Sequence, residues 1–197
     1  TRVAAETIRT LVERGEVKRI AFVAPTYRDA IQTMLLGESG LYSVFPASGS
    51  IKLRFAKQDG VVSFLRGSQI IAQAFIYTSE KPERLRGPQH DFGWVDELGA
   101  LKAPNDLWKL FLAGLRLGSN PRVITTSTPR ASILQIEGLL DHPRSVVTFG
   151  TSRENEANLA PDFLSDLESI YKDSDFEAQE LGGVLRLDDA GSLFRSE

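Results

Sequence analysis

Hydrophobic residues in this chain fall into helical stripes and short apolar runs that alternate along most of its length. Ala4, Ile8, Leu11 and Val12 recur at helical spacing, with Arg2, Glu6, Arg9, Glu13 and Arg14 on the other faces and Gly15 at the end, predicting a helix from Arg2 to Arg14. Ile20-Ala21-Phe22-Val23-Ala24 is a continuous apolar run closed by Pro25, as expected of a strand buried on both faces of a parallel sheet. A second helix is predicted from about Tyr27 to Leu36, then a Gly-, Ser- and Pro-rich loop from Gly37 to Ser50. Ile51–Phe55 alternates apolar and basic residues, and Val61–Leu65 and Gln69–Ala72 are further short strand candidates. After the polar, turn-rich stretch Glu80–His90, a strand Phe92–Val95 runs into Asp96-Glu97. A helix from about Asn105 to Leu117 places Leu107, Trp108, Phe111, Leu112 and Leu115 on one face, and a strand Arg122–Thr126 follows, stopped by Pro129. Helix, strand and helix alternate again through Ile133–Leu140, Val146–Phe149 and Phe163–Tyr171, and from Asp188 to Glu197 the pattern is lost. Parallel neighbours need crossover connections, so strands separated by helices predict an α/β fold with a mainly parallel sheet flanked by helices.

Composition narrows the function. At 197 residues and 42% hydrophobic content the chain is the size of one domain with ample core. Its 23 basic against 26 acidic residues, net −3, exclude a protein that coats nucleic acid through bulk positive charge, while a local basic patch stays open. The absence of Cys excludes disulfides, thiolate metal sites and a cysteine nucleophile, and two His cannot complete a structural zinc site. No apolar run approaches the roughly 20 residues that span a bilayer, and no signal-peptide block is present, so the expected location is the cytoplasm, with no membrane partner.

In an open parallel sheet, ligands bind beyond the carboxyl ends of the strands, and two strand ends carry chemistry here. Asp96-Glu97 places two carboxylates at the tip of a buried strand. In P-loop NTPases such an Asp helps hold Mg²⁺ and a following Glu polarises the attacking water. The same pair also reads as a helix cap followed by a solvated first-turn acid. Thr125-Thr126-Ser127-Thr128-Pro129-Arg130 offers consecutive hydroxyls that suit a phosphate or a water, or a β-type run stopped by proline. Thr1 opens a helix leading to a buried strand, the place of the last residue of G-x-x-x-x-G-K-[ST], whose hydroxyl binds Mg²⁺. Arg84 and Arg86, before Gly87-Pro88, suit an arginine finger or a solvated basic loop. His90 and His142 have no acid partner at catalytic spacing and read as surface or structural, and Trp94 and Trp108 read as core.

Taken in order, these segments resemble the ATPase domain of the large terminase subunit, the DNA-packaging motor of tailed bacteriophages and related gene-transfer particles. Pro82–Pro88 leading into Trp94-Val95-Asp96-Glu97 is similar to the family's arginine loop and Walker B strand. Gly114–Gly118, Pro121–Ile124 and Thr126–Arg130 are similar to its next helix and coupling motif, and Asn155, Asn158-Leu159, Phe163, Tyr171, Gln179-Glu180-Leu181 and Gly183 to the segment that closes the domain. The resemblance implies a P-loop NTPase fold of RecA-like, ASCE type using ATP and Mg²⁺. Asp96 and Thr1 would hold the metal and Glu97 would be the catalytic base. Thr126, Ser127 and Thr128 would contact and report the nucleotide. Arg86, 11 positions before Glu97, would act in trans on a neighbouring subunit, with Arg84 as fallback.

The same resemblance implies double-stranded DNA, a portal protein, a small terminase subunit and a homo-oligomeric ring on the procapsid as partners. It also implies that residues 1–187 are an ATPase domain lacking its first strand and most of its P-loop, and that 188–197 begin a linker toward a nuclease domain. The chain would then be an internal piece of a longer motor, inactive alone. Two other readings stay open: a helicase-like DNA translocase, and an interaction domain that keeps the fold without using nucleotide.

Overall fold

One six-stranded sheet organises the first of two structural units, Thr1–Thr126, in the computed structural model; the second runs from Ser127 to Glu197, and the described residues are 1–134, 136, 139–172 and 181. The strands are β1 (Arg19–Ala24), β2 (Ile51–Ala56), β3 (Val61–Arg66), β4 (Gln69–Thr78), β5 (Phe92–Asp96) and β6 (Arg122–Thr126), in the order β2-β3-β4-β1-β5-β6. β4, β1, β5 and β6 run parallel, and β3 pairs antiparallel with both β2 and β4. The expected parallel sheet is therefore present, widened on one side by an antiparallel ribbon.

β1 is buried at every residue except Arg19: strands on each side pair its backbone, and Ile20, Phe22 and Ala24 pack in one cluster with α1 residues. β5 is buried throughout. β4 runs to Thr78, well beyond the expected Gln69–Ala72. Its second half alternates Gln73, Phe75 and Tyr77 with Ala74 and Ile76, and Gln73 to Thr78 pair in register with Arg19 to Ala24 of β1. Gln73 interrupts the apolar run, and pairing with the central strand β1 carries the strand past it through Ala74-Phe75-Ile76-Tyr77.

Side chains alternate across the sheet, so Phe22 and Trp94 face one layer and Gly93 the other. The first layer holds α1 (Arg2–Glu13), with Ala4, Ala5, Ile8, Leu11 and Val12 buried in one cluster with Ile20, Phe22, Phe92 and Trp94. The expected helix Tyr27–Leu36 forms as α2 (Tyr27–Asp29), closed by a Thr26–Asp29 capping box, continuing as a π-helical stretch Ala30–Leu35 in which Leu36 N donates to the Ile31 carbonyl. The expected loop Gly37–Ser50 contains a helical turn, α3 (Leu41–Val44), because Leu41 and Val44 bury into the same cluster.

The other layer holds α4 (Pro104–Gly114), with Leu107, Trp108 and Phe111 buried. It stops short of the expected Leu117, since Leu115 leaves helical geometry and the N–H groups of Arg116 and Leu117 donate to the His90 carbonyl, each at 3.0 Å. A Cβ at Gly93 would lie 2.2 Å from Phe111 Cζ, so glycine is what lets α4 settle on β5.

In the second unit, α5 (Ala131–Leu134) and α6 (Phe163–Tyr171) flank a 3₁₀ segment Arg153–Asn158. Of the expected helix Ile133–Leu140 only the start is helical among the described residues. The expected strand Val146–Phe149 does not form. A strand exists by pairing, no described strand pairs with this run, and Val146 and Phe149 are 91% and 70% exposed. The linker expected at 188–197, and Gln179, Glu180 and Gly183, lie outside the described residues. Among the described residues no helix is long and apolar enough to cross a membrane.

Candidate active site at the carboxyl edge of the sheet

β5 and β6 end side by side, with Asp96 paired to Thr126 in the ladder. Paired residues share a face, so both side chains lie on the α1 side, with Trp94 two positions earlier on the same face. Asp96 is buried, and its Oδ1 accepts from three donors: Thr126 Oγ1 at 2.5 Å, Trp94 Nε1 at 3.3 Å and Thr1 Oγ1 at 3.5 Å. An ionised carboxylate is held in a buried strand end only with such compensation. The helix-cap alternative for Asp96 does not describe this geometry, because its carboxylate caps nothing.

Thr1 is the N-cap residue of α1, yet its hydroxyl makes no cap bond and reaches Asp96 instead. The first turn of α1 carries no acidic side chain to neutralise its free N–H groups. The positive end of a helix therefore points to the same strand tip as the carboxylate, an arrangement suited to an anion with a cation beside it. An aspartate and a threonine hydroxyl are hard oxygen donors of the kind Mg²⁺ takes, and Mg²⁺ usually completes its shell with water and substrate phosphates. Among the described residues no group of three or more His, Cys, Asp or Glu is placed to hold a metal ion.

Glu97 is half-buried and leaves the strand in the left-handed region, at φ 51° and ψ 53°. That conformation costs a non-glycine residue on the order of 1 kcal/mol. It turns the chain out of the sheet directly after Asp96, so the two carboxylates share an edge without sharing a face. Ser127 and Thr128 open the second unit, half-buried, with Ser127 Oγ donating to the Thr128 carbonyl at 2.8 Å.

Arg84 and Arg86 are exposed on the connection from β4 to β5, and among the described residues neither makes an ion pair or donates to Asp96. Their loop is anchored from below. Leu85 is buried in a 3₁₀ turn Pro82–Leu85, and Ser79 donates through N and Oγ to the Ala24 and Pro25 carbonyls at the end of β1. His90, 1% exposed, closes the loop, its Nε2 3.0 Å from the Tyr77 hydroxyl. His142 is exposed. The sequence reading of His90 as structural fits, and that of Trp94 as core is incomplete: Trp94 is core and also a donor to Asp96. The i, i+2 spacing on a strand was the signal available for that contact.

A mainly parallel sheet flanked by helices, with a carboxylate, hydroxyls and a helix N-terminus gathered at its carboxyl edge, makes this an α/β protein. The chain belongs to the large terminase family: the model of the terminase large subunit, T4likevirus-type, N-terminal, matches residues 1–197. No characterised protein sequence matches it significantly. Among solved structures it is similar to the large terminase of a thermophilic bacteriophage, with TM-score 0.69 and 10% identity over 85% of this chain and 40% of that one. The same protein in complex with ATP-γ-S gives 0.65 and 10%, over 85% and 39%. The large terminase ATPase domain of Thermus phage P74-26 gives 0.57 and 19%, over 93% of this chain and 82% of that domain. These likenesses show the fold; the chain spans about 40% of the length of the first of them.

Proposed function

We propose that this chain is the core of the ATP-hydrolysing motor of a large terminase, which drives double-stranded DNA into a procapsid. The observation that carries this reading is the convergence of Thr1, Trp94 and Thr126 on Asp96 at the carboxyl edge of the sheet, at the positive end of α1. In this reading Asp96 and the Thr1 hydroxyl hold Mg²⁺, which when bound neutralises charge on the β- and γ-phosphates. Glu97 orients a water in line with the γ-phosphorus and takes its proton on a carboxylate oxygen as the bond to the β-phosphate oxygen breaks. Thr126 links the nucleotide to β6 through Asp96, and Ser127 and Thr128 carry the change onward. Arg86, with Arg84 as fallback, stabilises the transferring phosphoryl group on a neighbouring copy.

Packaging adds partners: a homo-oligomeric ring, a portal protein, a small terminase subunit and the DNA. The work takes place in a host cytoplasm. These 197 residues hold no G-x-x-x-x-G-K-[ST] segment. The reading is tested with Glu97→Gln in a terminase polypeptide that carries a complete phosphate-binding loop ahead of Thr1. The variant is expected to bind ATP·Mg²⁺ and to turn over at least about a hundredfold more slowly, the scale of losing a transition-state contact. Unchanged turnover would overturn the assignment.

A further inference from the structure

We propose that Trp94 is a positioning residue for the cation site: its indole N–H, with the Thr126 hydroxyl, occupies Oδ1 of Asp96 and leaves Oδ2 as the oxygen offered to a divalent cation. This rests on the reading of Asp96 as a cation ligand and adds to it which oxygen binds and what holds it there.

The asymmetry of the carboxylate carries the inference. Among the described residues all three side-chain donors to Asp96 reach Oδ1 and none reaches Oδ2. An ionised carboxylate offers about four lone-pair positions over its two oxygens, so merely satisfying a buried acid would not require every donor on one of them. Two of the donors are fixed. Thr126 is held by the β5–β6 ladder, directly opposite Asp96. Trp94 is fully buried, edge-on to Phe22 with ring centroids 5.3 Å apart at 75°, and its ladder neighbours are Phe22 on β1 and Ile124 on β6. The indole cannot swing without opening the core, so its N–H is a rigid pointer on the carboxylate. A side chain gripped at one oxygen by a ring and a strand partner has lost its rotation, and its other oxygen is presented in one direction. Groups that fix a ligating carboxylate in this way typically change metal affinity by 10- to 100-fold when removed.

A buried tryptophan needs a partner for its N–H in any case, so the test must separate satisfaction of the indole from presentation of the acid. The chain has two tryptophans, Trp94 and Trp108, hence two indole signals in a ¹H–¹⁵N spectrum, assigned with Trp108→Phe. In Asp96→Asn, which keeps the shape of the site, the Trp94 indole proton is expected to move upfield as its acceptor loses charge, while Trp108 stays. Mn²⁺, a paramagnetic stand-in for Mg²⁺, titrated up to millimolar concentration, is expected to broaden the Trp94 indole and the Val95 and Thr126 amide signals at lower concentration than the Trp108 indole, and to lose this effect in Asp96→Asn. In Trp94→Phe the broadening of the Val95 and Thr126 amides should need about tenfold more Mn²⁺. Thr126→Val, which leaves the core ring intact, should show a loss in the same direction.

The failures are distinguishable. If Mn²⁺ broadens none of these signals in the wild-type chain, Asp96 is no cation ligand and the proposal falls with that reading. If Mn²⁺ acts at equal concentration on wild type and Trp94→Phe, or the Trp94 indole ignores Asp96→Asn, the cation reading stands and the role of Trp94 is overturned.

Discussion

The Tyr77 hydroxyl and His90 Nε2 meet 3.0 Å apart inside the protein, tying the end of β4 to the end of the loop that carries Arg84 and Arg86. The His90 ring stands edge-on to Tyr77, with ring centroids 5.3 Å apart, and its backbone N–H donates to the Gly114 carbonyl at the end of α4. One residue therefore links strand, loop and helix beneath the two exposed arginines.

Burial first, and the nearby Arg19 charge second, push His90 down to about 4 from its ordinary value of 6.5. As pH falls below 6.5 the unfolded chain takes up a proton on this residue and the folded chain does not. Stability associated with His90 is thus fully present above about pH 6.5 and lost progressively as the pH falls toward 4. A gap of this size corresponds to about 3 kcal/mol. Urea denaturation of wild type and His90→Gln between pH 4 and 7.5 checks it. The wild type should lose more stability than the variant across that window, and parallel curves would show that the two states of His90 differ little.

Gly93 and Phe111 predict a steric phenotype. Gly93→Ala places a methyl group 2.2 Å from the present position of Phe111 Cζ, so either the ring or α4 must move. Overpacking of this kind destabilises by about 1–3 kcal/mol. Gly93→Ala with Phe111→Leu should recover part of that loss, and a double-mutant cycle of melting curves measures the coupling. Strict additivity would mean that the two side chains do not contend for the same space.

Much of the first unit was legible in the chain because β1 and β5 are apolar runs ending in proline or an acid, the mark of strands covered on both faces, and because the half-buried edge strand β6 is rich in β-branched residues. The second half of β4 was missed although Ala74-Phe75-Ile76-Tyr77 is apolar, because the half-buried Gln73 breaks the run and its continuation is fixed by pairing with β1. Leu41 and Val44 were hidden in a segment whose glycines and serines signal loop, although their spacing of three was helical. At the strand end, Asp96 and Thr126 could be picked out singly, but their pairing depends on β5 lying next to β6, which topology decides. The Trp94 contact depends in addition on a side-chain rotamer set by Phe22. The break between units after Thr126 has no marker in composition.

The exposed position of Arg86 gives the third prediction. A finger acting across a subunit boundary contributes only when copies meet, and Arg86 is exposed with no ion pair among the described residues. In a polypeptide with a complete phosphate-binding loop, Arg86→Ala should reduce assembly-stimulated ATP hydrolysis by about 10³-fold or more and leave nucleotide affinity of the monomer nearly unchanged. Steady-state hydrolysis with and without assembly, beside equilibrium nucleotide binding, reads both quantities. If Arg84→Ala gives that phenotype and Arg86→Ala does not, the role passes to Arg84.

Nucleotide affinity of the 197 residues themselves follows from what holds phosphates in this fold. The β- and γ-phosphates are gripped chiefly by backbone N–H groups of a glycine-rich loop and by its lysine, and no such segment occurs in this sequence. What the chain offers is the N-terminus of α1, the Thr1 hydroxyl and the Asp96 carboxylate. A helix terminus supplies a fraction of a charge, and Asp96 repels phosphate unless a cation lies between them. ATP·Mg²⁺ is therefore expected to bind this chain no tighter than roughly millimolar, about −4 kcal/mol, with no hydrolysis above background. Calorimetric titration at millimolar nucleotide, run beside a phosphate-release assay, measures both. Micromolar binding would require a cradle assembled from other residues of this chain and would displace Thr1 and Asp96 from the centre of the site.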